Sequence, residues 1–329
     1  MTPGGVITSG LLVALATPAT WPLALGTFLL RGGLVLVALP ILVLPTPAGL
    51  GTALAPSISS IAFGTIPLSV AIVIGAVVVV VVAWLLAGGW AAALLEAEGT
   101  RIVAGDEELL EPDHPTVPTA VDRRVAGRIL VVRLLACLPL GVVLAVGSIR
   151  LVFVTYRELT GPLDVTTPIV LRVLRAAPEV VIAVVLAWLL AEVVGAIAAR
   201  EITLRGAGAG EALRFAITSL VRHPLGALVD FVVPTIILSF ALLCAGLAAS
   251  ATWAAVGSVL GEGSEPMAVL LAVAAFVGLW IVALVLIGVV CAWQAATWTV
   301  AGMTREGTFG RSADRRPGHW QPDDPSATL

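Results

Sequence analysis

Six apolar segments, each about as long as a helix that crosses a lipid bilayer, constrain the fold more than any other sequence feature. A membrane-spanning helix needs roughly 20 apolar residues. Segments of that kind occupy residues 23–45, 67–90, 129–153, 178–199, 225–249 and 267–299. Only 12% of the 329 residues are charged, about half the share in a soluble domain. The sequence therefore predicts an all-α, polytopic transmembrane helix bundle and excludes a water-soluble protein.

The six predicted spans belong to one transmembrane domain, residues 1–303. The loop 96–128 is acidic and contains several prolines, which is typical of an exposed, poorly ordered connector. In segment 210–223 the polar and apolar residues alternate with helical spacing, so we expect an amphipathic helix in the membrane interface. The tail 304–329 has mixed charge and no apolar period, which predicts disorder.

The distribution of arginine predicts the orientation of the chain, because short loops rich in arginine stay on the cytoplasmic side. Most arginines lie in or beside the loop 96–128, the region 200–222 and the tail 304–329. All three fall on one side of the membrane if the spans alternate. We therefore expect a multi-pass protein of the plasma (inner) membrane with cytoplasmic N- and C-termini.

A threefold repeat of helical hairpins is predicted from the even-numbered spans. Trp84, Trp188 and Trp293 follow one another at separations of 104 and 105 residues. Small residues at four-residue spacing put one ridge on each helix, along which helices can approach closely. These residues are Ala83, Ala87, Ala187, Ala191, Gly195, Gly288, Ala292 and Ala296. Chance matches in a chain rich in Ala, Val and Leu are the alternative explanation.

Four ionisable residues lie inside the predicted spans: Arg31, Arg133, Glu192 and Asp230. A charge in the bilayer is costly unless it is paired, so such residues are candidates for function. One interpretation is structural pairing of two cations with two anions. The other is an inward-facing polar cavity that binds an anion, or that conducts a proton through Glu192 and Asp230.

Motifs for chemistry are missing from the sequence. It contains no HExxH and no GxSxG, and the glycine-rich segment 205–211 has no strand before it and no Walker lysine after it. Three scattered cysteines match no metal-ligand spacing, and the net charge of −3 argues against nucleic acid as a partner. No metal or other cofactor is predicted. The predicted partners are the bilayer, anionic lipid head groups near the inner arginines, and a second membrane protein.

The stretch REITLRGAGAGEALRFAITSLVRHPLGAL, residues 200–228, resembles an element of bacterial six-helix membrane proteins. These proteins look related to the membrane domain attached to some glycerophosphoryl diester phosphodiesterases. The positions that carry the resemblance are Arg200, Glu201, Gly206, Glu211, Ala212 and Leu213. Because the catalytic domain of the phosphodiesterases has no counterpart in this chain, the resemblance implies a membrane fold and no hydrolase activity.

Three functions are compatible with these features. The first is a non-enzymatic, membrane-embedded assembly or accessory component. The second is a transporter of small molecules or lipids whose charged site lies toward the inner leaflet. An intramembrane enzyme comes third, since no nucleophile, base and metal occur together in a recognisable pattern.

Overall fold

The computed structural model describes residues 3–38, 57, 59–60, 63–108, 122–161, 169–222, 224–261 and 265–313. Helices joined by short turns make up these ranges, with no strand among them. The N-terminal helices are α1 (Pro3–Ala16), α2 (Thr20–Phe28), a π-helical segment (Leu29–Gly33) and α3 (Leu34–Ala38). The others are α4 (Leu68–Glu108), α5 (Arg123–Ala136), α6 (Leu138–Thr160), α7 (Ile169–Ala176), α8 (Pro178–Arg205), α9 (Ala209–Arg222), α10 (Pro224–Gly261) and α11 (Pro266–Ala313).

Six helical segments are long and apolar enough to cross a membrane, which confirms the prediction of a polytopic helical protein. They are Thr20–Ala38, Val70–Gly105, Arg123–Thr160, Pro178–Arg205, Val229–Leu260 and Pro266–Met303. Large apolar side chains cover much of their outer surface, as expected where lipid takes the place of water. The chain is a multi-pass membrane protein.

Several helices continue well past the predicted ends of their spans. Helix α4 reaches Glu108, although the loop was predicted to begin at Glu96, and α8 reaches Arg205. Helix α11 continues to Ala313, ten residues into the tail 304–329; residues 314–329 lie outside the described part, and disorder of the tail stays a prediction. Hydropathy falls at the first charged residue, but α4 and α8 continue past charged residues that are paired, Glu96 with Arg133 and Arg205 with Glu201.

The first span is interrupted in its middle. Between α2 and α3 the backbone forms a π-helical turn, and Gly32 has a φ of 107°, which only glycine adopts without strain. The third span also breaks, at Cys137, just before Pro139 in the first turn of α6. Pro234, in contrast, lies inside the continuous helix α10, and Pro40 falls outside the described residues. The break beside Arg31 therefore comes from glycine and not from proline.

The predicted packing ridge is wrong for the second span. Ala83 and Ala87 are exposed on the outer surface of α4, whereas the six ridge residues of α8 and α11 are buried. The reason is the register of α4. Its buried residues have the same four-residue spacing as the predicted ridge, but they lie one position later in the sequence. They include Gly88, Ala92, Glu96, Thr100 and Ala104. The close approach that the ridge predicted begins at Gly88, where an added Cβ would lie 3.3 Å from the carbonyl oxygen of Leu30.

Helix α1 packs along α11, a contact that the apolar pattern of the sequence does not predict. The Trp293 indole Nε1 donates a hydrogen bond to the Ile7 carbonyl oxygen over 3.1 Å. Gly10 lies directly on Thr297, where a Cβ at residue 10 would lie 2.7 Å from the Thr297 Cα. Glycine at this position lets the two backbones meet.

Replacing Gly10 with valine is expected to destabilise the protein, because backbone atoms of α11 cannot move aside as a side chain can. We expect a loss of about 2 kcal/mol, within the usual range for overpacking. Unfolding by sodium dodecyl sulfate in mixed micelles measures the loss. Gly278→Ala in α11 is the control, since a Cβ there meets nothing within 4 Å. Equal stabilities of the two variants would contradict the packing of α1 on α11.

Candidate functional site

Five charged side chains meet in one network inside the helix bundle. Arg31 comes from the π-helical segment, Glu96 from α4, Arg133 from α5, and Glu192 and Arg200 from α8. Ion pairs connect every member to at least one other. We call these five residues the charge network. Three cations face two carboxylates, so the network carries one formal positive charge in excess.

Glu96 is the centre of the charge network. Its Oε1 accepts hydrogen bonds from the guanidinium groups of Arg133, at 2.6 Å, and Arg200, at 3.2 Å. Its Oε2 accepts from the Nη2 of Arg31. The Glu96 side chain is only 6% exposed. One buried carboxylate thus connects arginines from three different elements. Removal of one partner from a buried ion pair strongly lowers the stability of the fold.

Glu192 is held more loosely than Glu96. Its Oε2 lies 3.1 Å from the Nη1 of Arg133 and 3.8 Å from the Nη1 of Arg31. The second distance is too long for a hydrogen bond. The Glu192 side chain is 31% exposed. This carboxylate therefore balances charge in the network without saturating the donors of Arg31.

Arg133 fills the space beside Gly195 of α8. A Cβ on Gly195 would lie 2.8 Å from both Cδ and Nη1 of Arg133. Arg133 does not line the adjoining cavity, where the other four network residues are found. Arg133 thus pairs with both carboxylates without lining the cavity. Because Gly195 has no side chain, the Arg133 side chain can pack against α8 at this position.

Arg200 has the most extensive set of partners in the network. Besides Glu96, its Nη1 donates to the carbonyl oxygen of Ala196 at 2.9 Å. Its guanidinium lies 5.2 Å from the ring centre of Trp298, a cation–π contact, and that indole stacks on Phe231. The buried Nε of Arg200 has no hydrogen-bond acceptor among the described residues. Several partners therefore hold the Arg200 side chain in place, while its Nε–H has no acceptor among these residues.

A cavity of about 310 Å³ lies against the charge network. Four charged side chains line one region of it, together with hydroxyl groups and the amide of Gln294, which donates to the Thr235 hydroxyl at 3.0 Å. Most other lining residues are apolar. Leu36 and Trp188 line the cavity and are also 54% and 42% exposed. The cavity is therefore open at these two apolar side chains, one on α3 and the other on α8.

The broken first span brings its backbone to this cavity. Gly32 and Gly33 line it beside Arg31. The carbonyl oxygen of Leu30 accepts a hydrogen bond from the Trp84 indole at 2.9 Å. The Trp84 side chain thus gives a hydrogen-bond donor to a backbone carbonyl of the interrupted segment, as favours an interruption inside a membrane.

The structure brings together three of the four intramembrane residues singled out in the sequence: Arg31, Arg133 and Glu192. The fourth, Asp230, is buried in α10 next to Phe231 and is not part of the cavity wall. Glu96 and Arg200 were missed because both fall outside the predicted spans: Glu96 is the first residue of the predicted loop 96–128, and Arg200 directly follows the span 178–199. One signal was available: they are 104 residues apart, the separation of Trp84 and Trp188.

The formal positive charge in excess beside a cavity is compatible with the binding of an anion. In the described part of the chain, no three His, Cys, Asp or Glu side chains lie close enough to hold a metal ion. No protein-family model, curated protein or solved structure matches this chain. The resemblance to phosphodiesterase membrane domains therefore stays a prediction, and the site has to be interpreted from its own geometry.

Proposed function

We propose that this protein binds an amphiphile with a singly charged anionic head group and transports it across the membrane. The observation that carries the proposal is the excess of one cation in a buried network beside a cavity. An uncompensated charge in a low-dielectric interior is costly. A ligand with one negative charge would neutralise the network, and this gain favours its binding over that of a neutral molecule.

The apolar part of the cavity supports an amphiphile over a small water-soluble anion. Apolar side chains extend from the charge network to Leu36 and Trp188, where the cavity is open. A head group could lie on Arg31 and Arg200 while its hydrocarbon chain passes between α3 and α8 into the bilayer. A cavity of about 310 Å³ suits a head group and the first part of a chain, at the lower end of the sizes of ligand pockets.

The interrupted first span supports transport in addition to binding. Discontinuous helices line the substrate sites of many transporters, because their free backbone groups and hinges serve binding and movement. Here the break at Gly32 directly follows a residue of the charge network. The arginine-rich loops support a plasma-membrane protein with both termini cytoplasmic, and the tryptophan spacing supports a repeat of three hairpins.

A second candidate function is the assembly or accessory role. The ion pairs of Glu96 join the π-helical segment, α4, α5 and α8, and such a network could serve only to hold helices in one arrangement. The resemblance to phosphodiesterase membrane domains is compatible with it. This role predicts a protein partner and no movement of lipid.

Transfer of fluorescent phospholipids between the leaflets of vesicles containing the purified protein separates the two functions. We expect transfer of phosphatidylglycerol, with one negative charge, to exceed that of zwitterionic phosphatidylcholine by roughly tenfold or more. Arg31→Gln should remove this difference. Arg150→Gln should not, because Arg150 pairs with Glu179 on the exposed surface.

Equal transfer of the two lipids, or transfer no faster than in vesicles without protein, would overturn the transport proposal. Competition with dimethyl phosphate, a phosphodiester without acyl chains, distinguishes a lipid from a free anion as ligand. We expect weak competition, since dimethyl phosphate leaves the apolar walls of the cavity empty. Competition as strong as that of the lipid would assign the site to soluble anions.

A further inference from the structure

We infer that Glu192 sets the charge of the ligand: it restricts the cavity to head groups with a single negative charge. The inference rests on the proposed function and specifies its ligand. It comes from the difference between the two carboxylates of the charge network. One holds the arginines together, and the other adjusts how much positive charge the cavity presents.

Glu96 cannot have the adjusting role. It is buried, and all three arginines contact it directly. Glu192 lies on the cavity wall and is partly exposed; it accepts a hydrogen bond from one arginine, Arg133 at 3.1 Å, and lies 3.8 Å from Arg31. A negative charge at this position lowers the attraction of the cavity for any anion, because Coulomb energies are large where water is excluded. Loss of this charge would leave every arginine with the Glu96 contact that it now has.

The charge balance then predicts which anionic head groups the cavity prefers. With both carboxylates ionised, one excess positive charge matches a phosphodiester or a carboxylate. A phosphomonoester carries close to two negative charges above pH 7, so it would leave one negative charge uncompensated in the bilayer. With Glu192 neutral, the excess rises to two charges and the phosphomonoester becomes the matched ligand.

The experiment compares the binding of three lipids to the full-length protein in micelles at pH 8. The lipids are phosphatidylcholine, phosphatidylglycerol and phosphatidic acid, a phosphomonoester, and native mass spectrometry counts the bound molecules. We expect wild type to prefer phosphatidylglycerol. We expect Glu192→Gln to raise the affinity for phosphatidic acid by roughly tenfold or more, as for removal of one nearby unit charge, and so to reverse the preference.

Glu179→Gln is the matched control, since it makes the same chemical change on the same helix α8, in an exposed pair with Arg150. It should leave the preference unchanged. Glu192→Met is a second neutral variant if the glutamine variant does not fold. The double variant Arg31→Gln/Glu192→Gln returns the excess to one charge and should prefer phosphatidylglycerol again, a reversal that a purely structural role would not produce.

The two proposals fail in different ways. If Glu192→Gln and Glu192→Met bind phosphatidylglycerol and phosphatidic acid in the wild-type ratio, Glu192 does not set the ligand charge, and the proposed function stands. If wild type and all variants bind the anionic lipids no better than phosphatidylcholine, the proposed function is wrong, and this inference fails with it.

Discussion

Glu96→Gln is expected to lower the free energy of unfolding by about 4 kcal/mol, because it removes the only carboxylate that contacts all three arginines of the charge network. Loss of one partner from a buried ion pair typically costs 3–5 kcal/mol. Here the variant leaves Glu192 as the one acid of the charge network, paired with Arg133 and Arg31, and leaves Arg200 without its ion pair. Unfolding by sodium dodecyl sulfate in mixed micelles, followed by tryptophan fluorescence or circular dichroism, measures the effect.

The matched control is Glu98→Gln, two residues further along α4. Glu98 pairs with Arg101 three residues later, and the Arg101 Nε donates to its Oε2 at 3.0 Å. Both side chains are partly exposed. Exposed pairs contribute about 1 kcal/mol or less, so this variant should be close to wild type. Equal losses for the two variants would show that the contacts of Glu96 do not stabilise the bundle.

Gly195→Val is expected to cost about 3 kcal/mol, more than Gly10→Val, because it adds the loss of buried ion pairs of Arg133 to the cost of overpacking. Any Cβ at this position would lie against Arg133, whose guanidinium both carboxylates hold in place. With valine at position 195, either α8 moves away from α5 or the Arg133 side chain moves and loses its ion pairs. Either change should also reduce lipid transfer, which measures the same disturbance at the site.

The control for Gly195 is Gly127→Ala in α5, where an added Cβ meets nothing within 4 Å. Alanine favours a helix over glycine by up to about 1 kcal/mol, so this variant should equal or exceed wild type in stability. Gly195→Ala should fall between Gly127→Ala and Gly195→Val. A valine variant as stable as wild type would mean that Arg133 does not depend on the space above Gly195.

The sequence was sufficient to predict the helical class and the six spans, because each requirement is local. About 20 apolar residues can cross a bilayer only as a helix or in a closed barrel, and unbroken apolar runs exclude the barrel. A helix was equally readable from the sequence: it was expected at 210–223 and occurs at Ala209–Arg222, while its position in the membrane interface stays a prediction. Its polar and apolar faces arise from neighbouring residues alone.

The site was only partly predictable, because its members depend on contacts between distant elements. Arg31, Arg133 and Glu192 stood out as charges in apolar surroundings. Glu96 and Arg200 did not, since hydropathy treats a charge at a span end as the start of a loop. The structure instead carries both helices onward, and 104 residues separate these two partners. Pairing of this kind depends on tertiary arrangement, which hydropathy does not contain.

The exposed ridge at Ala83 and Ala87 illustrates the same limit. Four-residue spacing identifies a helix face but not what lies opposite that face. On α8 and α11 the predicted face meets other helices, whereas on α4 the face one residue further round does so. A displacement of one residue turns a helix face by 100°, because a helical turn takes 3.6 residues. The four-residue spacing of small residues was predicted correctly. Which face of α4 packs depends on the neighbouring helices.

The packing of α1 on α11 also bears on how the chain is assembled. The hydrogen bond from Trp293 to Ile7 joins residues 286 positions apart, so α1 is synthesised long before its partner exists. Helix α1 is too short to span a bilayer. Trp21 of α2 donates a hydrogen bond to the Ala14 carbonyl oxygen, but the surface of α1 that packs on α11 stays uncovered until α11 is made. Insertion of α11 therefore completes the packing of α1, and protection of α1 against proteolysis would report that these two helices have met.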